Sequence, residues 1–253
     1  MIPKIIHYCW FGRNPLPEKA LRCIESWRRH LPDYEIVEWN EDNFDVNSIP
    51  YTAEAYAAGK YAFVSDYARF RILYEHGGLY FDTDVEVIRS FDDIVARGPF
   101  MGFETDCTPR LMGTVAPGLG LGAEAGHPIY KAFLDYYHNL RFLDKNGQPI
   151  LTTIVIYTTE VLIRHGLENK PGIQTVDGIS IYPAEFFNPF EWKTGLPRTT
   201  PMSHSIHWYA KTWMSSRQKV WQKIKYAANR LLGVRTITRI KRFIGISEDR
   251  QGS

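Results

Sequence analysis

An α/β fold is what this sequence predicts, and three patterns carry the prediction. Lys4–Tyr8 reads as a short buried strand, Pro17–His30 repeats apolar residues at helical spacing, and Tyr34–Trp39 reads as a second strand. That succession is a βαβ unit, which belongs to α/β sheets. A second helix ending at Gly77-Gly78 then feeds another strand candidate, Leu79–Val87. With 44% hydrophobic and 14% aromatic residues, the 253-residue chain has the composition of a packed globular protein rather than a disordered one.

In the first helix Ala20/Leu21, Ile24 and Trp27/Arg28 fall on one face. The stretch 40–60 is loop-rich, with a short helix around Tyr51–Ala58. Ser65 or Asp66 is placed to cap the next helix, which carries Ala68, Ile72 and Leu73 inward. Gly113–Gly126 is glycine-rich and reads as irregular. Pro128–Leu140 is an amphipathic helix, and Lys145-Asn146-Gly147 is a turn. For Ile150–His165, β-branched residues argue for a strand and periodicity for a helix.

Three cysteines, Cys9, Cys23 and Cys107, lack metal-type spacing and give no disulfide framework, which points to a reducing compartment. No apolar run approaches the roughly 18 residues of a membrane span. Lys4, His7 and Arg13 interrupt any apolar core that a secretory signal would need. The expected location is the cytoplasm.

The net charge of +2 conceals an asymmetry. Between Glu191 and Glu248 there is no acidic residue but there are twelve Lys and Arg, so the remainder of the chain is acidic. From Arg217 onward, Val220, Ile224, Ala227, Leu231 and Val234 follow helical spacing. Arg235, Arg239 and Arg242 form a basic stripe beside an apolar one of Ile237, Ile240 and Ile244. A cationic amphipathic tail over 215–253 suits adsorption to an anionic membrane on its cytoplasmic face, or packing on the acidic body. No nucleic-acid-binding motif accompanies the charge, so nucleic acid is not an expected partner.

The chemistry concentrates in Leu79-Tyr80-Phe81-Asp82-Thr83-Asp84. In an extended chain, Asp82 and Asp84 at i, i+2 share a side, and two carboxylates there suit a hard divalent cation that clamps a diphosphate. The plain alternative is a solvated acidic turn. Just upstream, Asp66 and Arg69 share a helical face at i, i+3, either aimed at the same crevice or paired as a surface salt bridge. A haloacid-dehalogenase-type phosphatase also uses Asp-x-Asp after an apolar strand, but nearer the N-terminus and with a later acidic pair that the region after Asp177 lacks. A non-catalytic, metal-dependent carbohydrate-binding module is the rival from another class.

The run S-D-x-x-R-x-x-x-L-x-x-x-G-G-x-Y-x-D-x-D, from Ser65 to Asp84, resembles the signature of glycosyltransferase family 32, the DXD sugar-binding group, which includes bacterial capsular-polysaccharide enzymes. Ile5-Ile6-His7-Tyr8-Cys9-Trp10-Phe11-Gly12 is similar to the family's first strand and nucleotide-contacting turn, and Ser205–Trp213 to its closing H-x-x-x-S-W element. The resemblance covers roughly residues 2–213. It implies a GT-A type nucleotide-diphospho-sugar transferase fold, a mixed central sheet flanked by helices, over residues 1–214. It also implies a retaining hexosyltransferase with Mn²⁺ or Mg²⁺ and a UDP-sugar donor: UDP-galactose, UDP-N-acetylgalactosamine or UDP-glucose, with GDP-mannose less favoured. The implied acceptor is a glycan or lipid-linked glycan of a cell-surface polysaccharide.

Carried over, the resemblance makes Asp82, Asp84 and Arg69 catalytic. Asp84 binds the metal directly, Asp82 contacts the metal or the ribose, and His207 completes the metal shell or touches the diphosphate, with His204 the local competitor of His207. Ser65, Asp66 and Arg69 hold the donor sugar, Trp10 and Tyr80 the nucleoside, and Trp213 closes over the diphosphate. The residue facing the other side of the sugar is left among Glu104, Asp106 and Glu124. Two departures stand out: Ala116–Gly122 contains no Asn where relatives have one near the sugar, and Thr212 replaces Ser before Trp213.

Overall fold

The structure, a computed structural model, describes residues 1–209 and 216–233, without the side chains of 216–220, 222, 223 and 232. The N-terminal half contains β1 (Ile5–Cys9), α1 (Glu18–His30), β2 (Glu35–Trp39), α2 (Pro50–Ala57), α3 (Tyr61–His76), β3 (Gly78–Tyr80), β4 (Val85–Val87) and α4 (Asp92–Val95). There follow β5 (Phe100–Thr105), β6 (Thr114–Val115), a 3₁₀ turn (Pro117–Leu119), β7 (Leu121–Ala123), α5 (Pro128–His138) and α6 (Ile154–Arg164). The last elements are β8 (Gln174–Val176), β9 (Ile179–Tyr182), α7 (Ala184–Phe187), β10 (Phe190–Glu191), β11 (Leu196–Pro197), β12 (Ser205–His207) and α8 (Ser216–Leu232).

The main sheet runs β2-β1-β3-β7-β5-β9-β8, with β6 paired to β5. β1 is parallel to β2 and β3, and β5 to β9, whereas β7 runs against both β3 and β5. This is the mixed sheet that the family resemblance implies. Strand side chains alternate between its faces. Ile6, Tyr8, Leu79 and Phe100 join one apolar cluster with Ile24 and Trp27 of α1. Cys9, Tyr80, Met101 and Leu121 join the other, with α3, α5 and α6.

Three sequence expectations are corrected. Leu21 is exposed on α1, and Cys23 and Ser26 are buried instead, because the inward face is centred on Ile24 and Trp27. α3 begins at Tyr61, so Ser65 and Asp66 lie inside the helix and cap nothing. Leu79–Val87 is not one strand: β3 stays in the main sheet and β4 leaves it to pair with β12. In addition, Gly113–Gly126 holds two short strands rather than only irregular chain, and Ile150–His165 resolves to the helix α6. The expected boundary at 214, Trp213 and the stripes from Arg235 to Ile244 lie outside the described residues.

The Gly77-Gly78 pair is required by close packing. Gly77 ends α3 at φ 66°, and a Cβ on Gly78 would sit 2.7 Å from the Ile5 carbonyl oxygen. α1 in turn fixes β4: the Trp27 Nε1–H donates to the Val85 carbonyl at 2.7 Å, and the Val87 N–H donates to Ser26 Oγ at 2.9 Å. With Trp27 fully buried, its truncation to Ala costs about 3–5 kcal/mol.

His7 ties β1 to its neighbours. The Trp39 Nε1–H donates to its Nδ1 at 3.0 Å, so Nε2 carries the proton given to the Gly77 carbonyl at 2.9 Å. Burial drives its pKa down to about 4, against the Gly77 bond and with help from nearby His76. The unfolded chain therefore takes up a proton below pH 6.5 that the native ring refuses, and stability present above 6.5 is lost as pH falls toward 4. The loss attributable to this ring is about 3 kcal/mol. Imidazole ¹⁵N NMR is expected to find His7 neutral and Nε2-protonated at pH 5.5. His7→Gln, compared with wild type by thermal melts between pH 7 and 4.5, is expected to remove that part of the pH dependence.

Candidate active site

The C-terminal ends of β1, β2, β3 and β5 share one edge of the sheet, the position where open α/β sheets hold ligands. After β3 the chain turns at Asp82–Asp84, where the Val85 N–H donates to the Asp82 carbonyl at 3.0 Å. The two aspartates therefore converge through a turn, not through strand alternation. β12 lies antiparallel to β4 with His207 opposite Val85, and the Trp208 N–H donates to the Asp84 carbonyl at 2.9 Å. This pairing carries His207 to the turn: its Nε2 lies 2.9 Å from Asp84 Oδ1 and 4.0 Å from Asp82 Oδ2.

Asp82, Asp84 and His207 each offer a ligand atom, all within 4.8 Å of one another, the sole such group among the described residues. Two hard carboxylate oxygens and one imidazole nitrogen suit Mn²⁺ or Mg²⁺. The 2.9 Å between Asp84 Oδ1 and His207 Nε2 is that of a hydrogen-bonded ion pair, whose proton a bound cation would replace. Burial disfavours the charged form of His207, but the carboxylates of Asp84, Asp82 and Glu104 outweigh it and raise its pKa. An attraction strong enough to hold a proton there favours a cation too. His204 is no competitor, since it stands 2.9 Å from Asp93, bonds Met202 and stacks on Phe186.

Arg69 organises the other side. Its Nη1 lies 3.2 Å from Asp82 Oδ1, its Nη2 donates to Asp66 Oδ1 at 3.0 Å, and its Nε donates to the Ser65 carbonyl at 3.0 Å. The Asp66 and Arg69 side chains are 11% and 4% exposed, which corrects the surface-salt-bridge reading. Burial works against the Arg69 charge, but Asp82, Tyr80 and Asp66 hold it in place; burial raises the Asp66 carboxyl against the pull of Arg69. Leaving such a buried charge unpaired costs about 3–5 kcal/mol. Tyr80 lies beneath this group: its ring faces the guanidinium at 4.9 Å and its hydroxyl donates to Asp82 Oδ1 at 3.2 Å.

Trp10 follows β1 and, with Arg13, Asn14, Glu38, Asn40 and Glu41, encloses a polar pocket of about 250 Å³. A wider, apolar pocket of about 480 Å³ beside α2 shares no residue with this edge. Glu104, at the end of β5, accepts a hydrogen bond from the Tyr209 hydroxyl at 3.2 Å, and Asp106 accepts from the Ala184 N–H at 2.8 Å. Glu124 follows β7 at the opposite edge, because Gly78 faces Ala123 and Tyr80 faces Leu121, so it is not a candidate for the sugar face.

Sequence reasoning missed Gly118. Its carbonyl accepts the Asp82 N–H at 3.2 Å, and a Cβ here would stand 2.0 Å from Asp82 Oδ2 and 3.2 Å from Arg69 Nη1. This chain lays bare backbone against the carboxylate. The lone signal was a glycine in a segment lacking the expected polar residue.

With this geometry in place, comparison with known proteins is direct. Residues 17–101 match the family described as the glycosyltransferase sugar-binding region containing the DXD motif. Inositol phosphoceramide mannosyltransferase 3 of Schizosaccharomyces pombe is 36% identical over 167 residues, 62% of this chain and 42% of its own length. An uncharacterised glycosyltransferase of Acanthamoeba polyphaga mimivirus is 28% identical over 200 residues, 74% of this chain and 76% of that one. The chain thus spans less than half the length of the fission-yeast relative. Among solved structures, the PaToxG glycosyltransferase overlaps 64% of this chain and 69% of its own, at 20% identity and a TM-score of 0.47.

Gly118→Ala is expected to push Asp82 off Arg69. Titration calorimetry with Mn²⁺ should then show affinity reduced about tenfold or more, and thermal melts a loss of about 1–3 kcal/mol from overpacking.

Proposed function

We propose that this chain is a metal-dependent retaining hexosyltransferase, moving a hexose from a nucleotide sugar onto a glycan acceptor in cell-surface polysaccharide synthesis. The observation that carries the reading is the Asp82–Asp84–His207 group beside the buried Arg69, on the ligand-holding edge of the sheet. As the bond from the anomeric carbon to phosphate breaks, negative charge grows on the departing nucleoside diphosphate. A divalent ion held by Asp82, Asp84 and His207 supplies electrostatic stabilisation of that charge. Arg69 and Tyr80 keep Asp82 in its ligating orientation, Ser65 anchors the guanidinium, and Asp66 accepts from a donor-sugar hydroxyl. Trp10 and the polar pocket beside it hold the nucleoside. The acceptor hydroxyl gives its proton to the leaving phosphate, so no protein base is required.

UDP-galactose, UDP-N-acetylgalactosamine and UDP-glucose are the donors of first choice. A second reading, GDP-mannose, is favoured by the fungal relative, whose name specifies mannose transfer. A hydrolysis panel of sugar nucleotides with Mn²⁺ and with Mg²⁺ decides between them. One donor is expected to be turned over, and Asp84→Ala to lose about 100-fold or more of that turnover. Turnover of p-nitrophenyl phosphate instead would indicate a phosphatase; donor binding without turnover would leave a carbohydrate-binding module.

The proposed acceptor is a lipid-linked glycan reached from an anionic membrane surface. No helix among the described residues is long and apolar enough to cross a membrane. α8 instead exposes Trp221, Ile224 and Leu231 (63%, 52% and 84%), at the i, i+3 and i+10 positions of one helical face. Together with the exposed Lys225, they form a surface suited to the headgroup boundary. Replacing all three by Ala is expected to reduce co-sedimentation with vesicles containing phosphatidylglycerol about tenfold or more, with donor hydrolysis measured alongside. Unchanged sedimentation would refute the membrane contact.

A further inference from the structure

We propose that Trp192, with Tyr209 and Glu104, forms the acceptor subsite: an aromatic platform and a carboxylate that together take a pyranose ring. The inference rests on the transferase reading and names the second ligand of that same site. The sheet order supplies the starting point. β1 and β2 lie on one side of β3, and there Trp10 and its neighbours enclose the polar pocket assigned to the nucleoside. β5 lies on the other side of β3, and the Glu104 carboxylate at its end faces the same edge as Asp82 and Asp84.

The wall on that side is aromatic. The Tyr209 ring packs edge-on against His207 with centroids 4.1 Å apart, and its hydroxyl donates to Glu104 Oε1 at 3.2 Å. Trp192 lies 4.1 Å from Tyr209, centroid to centroid, and remains 38% exposed, while Phe190 packs behind both rings at 5.4 and 5.6 Å. One contact thus separates a candidate metal ligand from a partly exposed indole. Tyr209 takes φ 46°, in the left-handed region, where a bulky aromatic residue is strained. Such strain persists where surrounding contacts over-determine it, and here the contacts are those to His207, Trp192 and Glu104.

Two rigid supports make the platform a built feature rather than a loose loop. Trp192 sits on the β10–β11 hairpin, and α8 clamps that hairpin: Asn229 Nδ2 donates to the Lys193 carbonyl at 2.6 Å, and Arg230 Nε to the Thr194 carbonyl at 2.7 Å. On the other flank, Trp208 Nε1 donates to Glu86 Oε2 at 2.8 Å and locks β12 to β4. A pyranose presents an apolar face of C–H groups and a rim of hydroxyls, which matches an indole plane beside a carboxylate. An acceptor seated there places a hydroxyl next to the sugar whose phosphate faces Asp84 and His207.

The test uses the full chain with Mn²⁺ and, as probes, the methyl α- and β-glycosides of galactose, glucose, mannose and N-acetylgalactosamine. Saturation-transfer NMR is expected to detect at least one of these on the wild type. Trp192→Ala is expected to weaken that glycoside about tenfold or more, and Trp192→Phe to restore most of the affinity, since an aromatic face remains. UDP and GDP affinities by calorimetry are expected to stay within about twofold, because the nucleoside pocket lies across β3. Equal losses in glycoside and nucleotide affinity would reassign the platform to the donor. No glycoside signal on the wild type, or one indifferent to Trp192, would overturn the proposal. If glycosides bind in a Trp192-dependent way while no sugar nucleotide is turned over, the transferase reading fails and the platform stands as a carbohydrate-binding surface.

Discussion

One buried guanidinium makes the rest of this edge possible. Asp66 and Asp82 come together inside the protein, and two carboxylates so close cannot both stay ionised without a countercharge. Arg69 provides it, spanning them at 3.0 and 3.2 Å from within α3 while Ser65 steadies its Nε. One guanidinium cannot neutralise three carboxylates, and the third, Asp84, lies 2.9 Å from His207. The excess negative charge is thereby concentrated at the one point where a divalent ion has an imidazole ready as a further ligand.

That arrangement also explains why the chain breaks its strand between Tyr80 and Val85. A continuous strand would hold Asp82 and Asp84 on one side but fix them to a single sheet. The observed turn lets β3 stay with β1 while β4 pairs with β12, so residues distant in sequence meet at the carboxylates. α1 stiffens the far end of the turn through Trp27 and Ser26, and the Gly118 carbonyl holds its near end. Packing on two apolar clusters therefore sets ligand positions that no local sequence preference could set.

The same distinction marks what was legible in the sequence. α1, β2 and the Gly77-Gly78 stop were readable because helical periodicity and a glycine requirement are local. Asp82, Asp84, Asp66 and Arg69 were readable because their spacing is itself the motif. The register of β12 on β4 was not, so His207 could be preferred over His204 by resemblance alone. Leu79–Val87 read as one strand because its apolar residues alternate across the break. Gly118 was invisible for a comparable reason, since what excludes a side chain there is Asp82, brought to it only by the fold.

The two walls of the cleft differ in chemistry, in keeping with the different ligands proposed for them. A nucleoside is held by hydrogen bonds and ring contact, and the side assigned to it offers Asn14, Asn40, Glu38 and Glu41 around Trp10, while the cation site nearby answers the charge of the diphosphate. The pyranose of a glycan acceptor offers C–H faces and hydroxyls, so shape, aromatic surface and hydroxyl acceptors are what hold it. Trp192, Tyr209 and Glu104 offer those properties, and α8, which clamps their hairpin through Asn229 and Arg230, is also the helix that exposes Trp221, Ile224 and Leu231. On the proposed reading, a lipid-linked acceptor presents its glycan at the membrane surface, so α8 would join the face proposed to meet the lipid to the wall proposed to receive the sugar.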